Sequence, residues 1–333
     1  MGRYLVQFLA FFTIINTLAQ SKKELLDFQF EDLKLSGVLN LPEHTEAKGI
    51  VLIVHGDGPT NAVAQEWYYD VRHAIIAAGY GTYMWDKMGC GTSEGSYQQN
   101  QTVQNSAEEV IAAINGLKTR KVKGATNIGL WGISRAGWIN PIVINKYPDI
   151  AFWISVSGVD DDETFKYLLT QNLRINGHSE KTIAQMVMEW HQGILMSRKG
   201  ADYESYLKAT TNLRENPFWN RITNGGINES SYYSYQKVLM ESKLDKISRL
   251  PLYVANFEEL LTNINIPILA LFGEKDMHVN WQQTKALYER VFANNQDFSG
   301  ESFPNANHNL LICKTCGFYE FEDDGLSYER SQA

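Results

Sequence analysis

Five short apolar runs, separated by segments with helical spacing, constrain the fold of this chain more than any other feature. Residues 49–54 are Gly-Ile-Val-Leu-Ile-Val, an unbroken run rich in β-branched side chains. Such a run suits a strand that is buried on both faces of a parallel sheet. Similar runs occupy residues 81–85, 127–132, 152–157 and 267–272. Because strands that alternate with helices form right-handed βαβ units, the sequence predicts an α/β fold: a mostly parallel sheet flanked by helices.

Helical patterns fill the intervals between these runs. They also fill one long insertion. Three of them accompany the core strands, at residues 67–78, 102–117 and 281–292. Four more lie in a stretch with almost no strand-like run, at residues 164–173, 180–197, 203–212 and 234–243. The simplest interpretation is a core in two parts, residues 20–158 and 258–333, interrupted by a helical cap at residues 159–257.

Two further strand predictions complete the core. Residues 27–43 alternate apolar and polar side chains around the pair Ser36-Gly37, which predicts two antiparallel strands joined by a turn at that pair. A last short strand is predicted at residues 297–303.

Residues 1–19 have the layout of a cleavable secretory signal. Arg3 precedes an apolar run at residues 5–18, and Thr17 and Ala19 are small residues before the expected cleavage point. The run is shorter than the roughly 20 apolar residues that span a bilayer. We therefore predict cleavage near Ala19 and export to a periplasm or out of the cell, with no stable membrane anchor.

Charge and cysteine content narrow the classes of function. The chain has a formal net charge of -8 and no basic block, so it lacks the electrostatic footprint of nucleic-acid binding. A small-molecule ester or a short peptide is the better expectation for a substrate, and the oligomeric state stays open. In an exported protein Cys313 and Cys316 can form a disulfide, with free thiols as the alternative. Cys90 is predicted to be a free thiol in a turn.

The sharpest chemical signal is Gly132-Ile-Ser134-Arg-Ala136-Gly137, which directly follows the strand predicted at residues 127–132. A serine hydroxyl becomes an effective nucleophile when it is held exposed, next to a base and to donors for the oxyanion. A tight strand-to-helix turn provides this geometry, and the small residues around the serine allow the turn. Ala136 stands where the usual pattern has a second glycine. The sequence predicts Ser134 as the nucleophile.

A second signal, His55-Gly56-Asp57-Gly58, follows the strand predicted at residues 49–54. The two glycines give this loop the conformational freedom to aim a backbone amide at the reacting centre. We predict an oxyanion hole made by the backbone amides of Asp57 and Arg135.

The remaining candidates follow the last two predicted strands. Asp276 ends Phe-Gly-Glu-Lys-Asp after residues 267–272, and His308 lies in Pro-Asn-Ala-Asn-His after residues 297–303. Glu274 is the local competitor for the carboxylate. His278 lies too close to Asp276 along the chain to be its natural partner, and we interpret it as a surface or pocket-lining residue. The order Ser134, Asp276, His308 differs from the other two common triad orders.

With these motifs placed, the sequence resembles the α/β-hydrolase superfamily, and within it capped esterases and serine-aminopeptidase-like hydrolases. The resemblance includes Asp86-Lys-Met-Gly89-Cys-Gly91-Thr-Ser93, which is similar to a structural turn of that family. It implies a serine hydrolase in which His308 is the general base and Asp276 orients it, with no cofactor and no metal. A dienelactone-type enzyme would require a thiol at position 134.

Three functions follow from this resemblance. The leading one is hydrolysis of carboxylic esters through an acyl-enzyme. The second is an exported aminopeptidase-like peptidase, which would need an acidic group in the cap to bind a free α-amine; Glu163, Glu189 and Glu204 are candidates for that group. The third, from a different class, is a non-catalytic binding protein that retains the fold.

Overall fold

The computed structural model of the chain describes residues 21–98, 101–160, 164–223, 225–246 and 249–320. In chain order the strands of this part are β1 (Ser21–Leu25), β2 (Phe28–Phe30), β3 (Leu33–Leu35), β4 (Gly37–Pro42), β5 (Ile50–Val54), β6 (Gly81–Trp85), β7 (Ile128–Ile133), β8 (Ile150–Val156), β9 (Ile268–Gly273) and β10 (Phe298–Phe303). Eight of them form one sheet in the order β1-β4-β6-β5-β7-β8-β9-β10.

The central sheet is mostly parallel, as predicted. Strands β6, β5, β7, β8, β9 and β10 run in the same direction, whereas β4 and β1 pair antiparallel at one edge. The five apolar runs form β5 to β9, and every residue of β5 is buried because helices cover both faces of the sheet. The predicted last strand is also confirmed, as β10. All six parallel strands end at the same edge of the sheet.

In chain order the helices are α1 (Tyr69–Ala77), α2 (Val103–Thr119), α3 (Ala136–Lys146), α4 (Thr164–Ile175), α5 (Glu180–Arg198), α6 (Tyr203–Ala209), α7 (Thr211–Glu215), α8 (Pro217–Ile222), α9 (Glu229–Glu241), α10 (Phe257–Thr262) and α11 (Trp281–Val291). The helices predicted beside the core strands are confirmed as α1, α2 and α11. Helix α2 begins after Thr102, whose side chain accepts a hydrogen bond from the amide of Asn105 and so caps the helix. Among the described residues, no helix is both long enough and apolar enough to cross a membrane.

The N-terminal strands differ from the prediction. The structure has two turns instead of one: β2 and β3 form a small hairpin around Glu31, which has a φ of 52°, and β4 pairs with β1. Ser36-Gly37 is the junction between β3 and β4. A Cβ atom on Gly37 would lie 2.2 Å from the Tyr83 hydroxyl, so the glycine is required by close packing against β6.

Helices α4 to α9 lie between β8 and β9 and have an apolar cluster of their own, which includes Leu169, Trp190 and Phe218. The pattern at residues 203–212 forms two helices, because the helix breaks at Thr210, where φ is -120°. Helices α8 and α10 were not predicted. Residues 1–19 and their proposed signal lie outside the described residues, and the limits of the cap at residues 159–257 stay a prediction.

Candidate active site

A sharp turn between β7 and α3 holds the candidate nucleophile. Ser134 has a φ of 58°, a left-handed conformation that is rare for a residue with a side chain. A Cβ atom on Gly132 would lie 2.7 Å from Cβ of Ala136, and one on Gly137 would lie 2.8 Å from Cα of Gly158. Small residues are therefore required on both sides of the serine, and Ala136 fits in place of the usual second glycine.

Two main-chain hydrogen bonds hold the backbone around Ser134. The amide of Ser134 donates to the carbonyl oxygen of Val156 at 3.0 Å, and its carbonyl oxygen accepts from the amide of Gly137 at 2.7 Å. A strained residue persists where its surroundings over-determine it, and such residues cluster at active sites.

The loop of residues 55–58, the oxyanion loop, is anchored by His55. The Nε2 atom of His55 lies 2.7 Å from the carbonyl oxygen of Trp85, to which it donates, and its ring stacks on Tyr68 at 5.8 Å. Burial, together with the nearby charge of Lys87, lowers the pKa of His55 to about 3. His55 is therefore neutral at physiological pH and has a structural role in the loop.

The loop that carries the Asp57 amide lies next to the turn that precedes Arg135. A Cβ atom on Gly56 would lie 3.2 Å from Cβ of Ser134, so the oxyanion loop packs directly against the nucleophile turn. Among the described residues, the amides of Asp57 and Arg135 donate no hydrogen bond. The side chain of Arg135 is held by α2, where Nη1 donates to the Ser106 hydroxyl at 3.0 Å. Both amides are thus available for an oxyanion.

The structure brings the side chains of Asp276 and His308 together. Oδ2 of Asp276 accepts from Nδ1 of His308 at 2.7 Å, and Oδ1 accepts from the amides of His278 at 2.7 Å and Val279 at 2.9 Å. Burial opposes ionisation of this carboxyl, but the charge and hydrogen bond of His308 outweigh burial and hold the pKa of Asp276 below its ordinary value. A carboxylate here fixes the His308 tautomer with Nε2 unprotonated, as a general base requires.

Main-chain contacts hold the two loops together. A Cβ atom on Gly273 would lie 2.2 Å from the carbonyl oxygen of Asn307, so only glycine permits this approach. The amide of Lys275 donates to the carbonyl oxygen of Ala306 at 3.0 Å. Glu274, the competitor for the carboxylate, is exposed and accepts from the hydroxyl of Ser302 at 2.8 Å. Its carboxylate is therefore occupied away from His308.

Helix α4 of the cap holds the turn that carries Asp276. The hydroxyl of Tyr167 donates to the carbonyl oxygen of Asp276 at 3.0 Å. The side-chain amide of Asn172 donates to the carbonyl oxygen of Met277 at 3.0 Å, and its oxygen accepts from the amide of Phe318 at 2.7 Å. Asn172 is buried and joins three segments that are distant in sequence. Sequence reasoning missed both residues, since a Tyr and an Asn on a helix carry no motif.

His278 lies over the candidate base and not on the surface. Its ring stacks on His308, with 4.6 Å between ring centroids, and on Phe318 at 5.4 Å. Burial, with a smaller effect of His308, lowers the pKa of His278 to about 3. A neutral ring therefore covers His308, because the turn after Asp276 folds His278 back onto the His308 loop. Of the two interpretations, a surface or a pocket-lining residue, this contact favours the second.

The segment that follows His308 is closed by a disulfide between Cys313 and Cys316, with an S–S distance of 2.06 Å. The carboxylate of Glu320 accepts from the amides of Thr315 at 2.6 Å and Cys316 at 2.8 Å, and so binds the backbone of the ring that the disulfide closes. Cys90 is a free, buried thiol.

The acidic residues considered for binding an amine have other partners. Oε1 of Glu189 accepts from the Asn212 side chain at 2.6 Å and Oε2 from the amide of Leu213 at 2.8 Å, so this carboxylate holds the start of α7. Glu204 is exposed and pairs with Lys208 at 2.8 Å. Glu163 lies outside the described residues. The described ranges contain no group of three or more His, Cys, Asp or Glu side chains that could hold a metal ion.

One family model matches the C-terminal part of the chain. The dienelactone hydrolase family matches residues 251–324, a segment that contains Asp276 and His308 but not Ser134. No curated protein matches the chain. The family match therefore covers only the part of the chain from the end of the predicted cap onward.

Solved structures are similar over most of the chain. Esterase Pf2001 of Pyrococcus furiosus matches with a TM-score of 0.55 and 15% identity, over 87% of this chain and 83% of the esterase. Est1E of Butyrivibrio proteoclasticus, with ferulic acid bound, matches with a TM-score of 0.51 and 15% identity, over 89% and 93%. DcsB in complex with its substrate analogue matches with a TM-score of 0.53 and 14% identity, over 86% and 91%. The protein has the α/β-hydrolase fold. Together with the family match, these similarities support a hydrolase.

Proposed function

We propose that this protein is a serine hydrolase that cleaves carboxylic esters through an acyl-enzyme at Ser134. The observation that carries the proposal is a strained backbone at Ser134, with a φ of 58° at the end of a buried strand, together with direct packing of the oxyanion loop against it, where a Cβ atom on Gly56 would lie 3.2 Å from Cβ of Ser134. A nucleophile that must project above the sheet edge beside an oxyanion hole requires both features.

The proposed mechanism uses groups of this chain alone. His308, with its proton on Nδ1 held by Asp276, accepts the Ser134 proton as the hydroxyl attacks the acyl carbon. The amides of Asp57 and Arg135 stabilise the tetrahedral oxyanion. His308 then protonates the leaving alcohol. Water, activated by the same ring, releases the acid from Ser134.

Two observations favour an ester over a peptide with a free α-amine. The described acids of the cap that were candidates for amine binding, Glu189 and Glu204, already have hydrogen-bond or ion-pair partners. Est1E, which has the same fold, binds ferulic acid, and a carboxylic acid of this kind is the product type expected from ester hydrolysis. We also propose that the protein is exported after cleavage near Ala19.

The test is hydrolysis of a matched panel by the mature protein: p-nitrophenyl esters of increasing acyl length beside aminoacyl p-nitroanilides. Turnover of esters that disappears in Ser134→Ala supports the proposal. Preferential cleavage of anilides with a free α-amine would favour a peptidase. An absence of turnover and of labelling by a fluorophosphonate would indicate a non-catalytic protein.

Ser157 offers a matched control for the labelling experiment. It also follows the end of a parallel strand, has a φ of 44°, and is buried. Ser157→Ala should therefore retain fluorophosphonate labelling, whereas Ser134→Ala should lose it. Labelling that survives in Ser134→Ala would assign the nucleophile to another residue.

A further inference from the structure

A half-buried lysine contacts the oxyanion loop from the side of β6. Lys87 lies two residues beyond the end of β6, and β6 pairs with β5, which leads into the oxyanion loop. Its Nζ donates to the carbonyl oxygen of Gly56 at 2.6 Å and to that of Gly58 at 2.8 Å. One ammonium group thus contacts the Gly56–Asp57 peptide and the Gly58–Pro59 peptide.

The planarity of the peptide bond links this contact to the oxyanion hole. The carbonyl of Gly56 and the amide of Asp57 belong to one trans peptide, in which C=O and N–H point in opposite directions. Because the Gly56 oxygen points at Lys87, the Asp57 N–H points away from Lys87. Gly56 itself packs against Ser134, and the Asp57 amide donates to no described atom. The lysine thereby sets the direction of a donor that the proposed mechanism requires.

The loop needs such a constraint because its own backbone is permissive. Asp57 is flanked by Gly56 and Gly58, and Gly58 has a φ of 88° with nothing within 4 Å of an added Cβ atom. Glycines leave several loop conformations accessible. An oxyanion hole is effective only when its donors are oriented before the reaction.

We propose that Lys87 is a positioning residue of the oxyanion hole, whose ammonium group fixes the orientation of the Asp57 amide through the carbonyl oxygens of Gly56 and Gly58. This proposal rests on the proposed ester hydrolysis at Ser134. Lys87 acts through the peptide and does not touch the substrate. Its charge also polarises the Gly56–Asp57 peptide and so makes the N–H a stronger donor.

The electrostatic surroundings of Lys87 support a charged form at neutral pH. Burial lowers the pKa of Lys87 to about 8, and Arg135 acts in the same direction. The carboxylate of Asp57 opposes this effect, as do Glu109 on α2 and the thiol of Cys90. His55 in the same loop is neutral at this pH because its own pKa is about 3.

The experiment compares Lys87→Met with Lys87→Arg by the kcat and KM for a p-nitrophenyl ester and by the affinity for a boronic acid, which mimics the tetrahedral intermediate. Loss of one oxyanion donor costs roughly 100- to 1,000-fold in kcat in other enzymes. We expect Lys87→Met to lower kcat by roughly 10- to 100-fold, since the donor is misaligned and not removed. KM should stay unchanged, boronate affinity should fall with kcat, and Lys87→Arg should restore most of both.

Lys48 supplies the matched control. Its Nζ also donates to a main-chain oxygen, that of Ala78 at 2.8 Å, but before the start of β5, at the opposite edge of the sheet. Lys48→Met should leave kcat and boronate affinity at wild-type values.

The pH profile of the wild-type chain provides a second test that does not depend on folding of the Met variant. In the wild type, kcat should decline as pH rises through about 8, whereas Lys87→Arg should show no such decline. Cys90, Asp57, Glu109 and Arg135 are present in both proteins, so the difference reports the lysine.

The two proposals fail in distinguishable ways. An unchanged kcat in Lys87→Met, beside wild-type turnover that depends on Ser134, would overturn the role of Lys87 alone. The role of Lys87 would also be overturned if Lys87→Met raised KM while kcat and boronate affinity stayed at wild-type values. Absence of turnover that depends on Ser134 in the wild type would overturn both.

Discussion

Replacing Asp276 by Asn tests the candidate site most severely, because the change removes one acceptor and adds one donor without changing shape. The carboxylate now serves three donors: the amides of His278 and Val279 on Oδ1 and Nδ1 of His308 on Oδ2. An asparagine has a single oxygen. If that oxygen stays with the two main-chain amides, the NH₂ group faces His308 and donates to Nδ1. His308 then carries its proton on Nε2 and cannot accept the proton of Ser134.

The structure indicates which orientation the asparagine takes. The opposite orientation would restore the acceptor for His308 but would leave two buried amides facing an NH₂ group. Each buried donor without a partner costs about 1 to 3 kcal/mol, so the unproductive orientation is favoured by roughly 2 to 6 kcal/mol. This range agrees with the roughly 10⁴-fold loss of kcat, about 5 kcal/mol, that the same change produces in other Ser-His-Asp enzymes.

The assay is steady-state hydrolysis of the best p-nitrophenyl ester at neutral pH, with unfolding by urea to show that Asp276→Asn remains folded. Glu274→Gln is the matched control, because this exposed carboxylate bonds Ser302 and not His308, and its kcat should be that of the wild type. A loss of less than about tenfold in Asp276→Asn would refute the assignment, since the tautomer argument leaves no route to normal proton transfer.

Three further changes test the surroundings of the site. Gly132→Ala should destabilise the protein to urea by about 1 to 3 kcal/mol, because the added Cβ atom would lie 2.4 Å from the Asn140 side-chain nitrogen; unchanged stability would contradict the packing. Asn172→Ala leaves the half-buried Phe318 amide without its side-chain acceptor and should cost about 1 to 3 kcal/mol in the same measurement. The free energy of unfolding should also fall by about 2 kcal/mol between pH 7 and pH 5 through His55, because the unfolded chain takes up a proton below the ordinary pKa of 6.5 while the folded chain, with a pKa of about 3, does not. A His55→Gln variant should lack this part of the pH dependence.

The parallel core could be predicted from sequence because its signals are local. The run at residues 49–54 is apolar without interruption, and this pattern has few interpretations when helices flank it. The turn at Ser134 could also be predicted from sequence, since the spacing of small residues around the serine reflects a steric requirement of the turn itself. Asp276 and His308 could be placed because each follows a strand whose end lies at a common edge.

Other features were missed although a local signal existed. Helix α8 begins with Asn216-Pro217, and the Asn216 side chain accepts from the amide of Phe218 at 2.9 Å. An Asn before a Pro is a known start signal for a helix, so this short helix could have been predicted. The junction at Ser36-Gly37 could not have been predicted, because Gly37 is required by the Tyr83 hydroxyl on another strand and not by a turn of its own.

The contacts of Lys87, Asn172 and His278 could not be predicted, because their roles depend on partners that the fold brings close from distant segments. Asn172 illustrates the limit: its two side-chain atoms join a cap helix to Met277 and to Phe318. Nothing in a helical pattern distinguishes such an amide from one that faces solvent. The candidate reacting groups can therefore be read from the sequence as motifs, whereas the contacts that would orient them are visible only in the structure.

Helix α4 connects the predicted cap to the turn that carries Asp276. The candidate reacting groups follow β7, β9 and β10, so a helical insertion between β8 and β9 leaves the sheet edge that carries them intact. Helix α4 nevertheless donates through Tyr167 to the carbonyl oxygen of Asp276 and through Asn172 to that of Met277. A movement of α4 would thus be transmitted to the carboxylate that orients His308. These two contacts tie the position of the Asp276 turn to α4, a helix of the predicted cap.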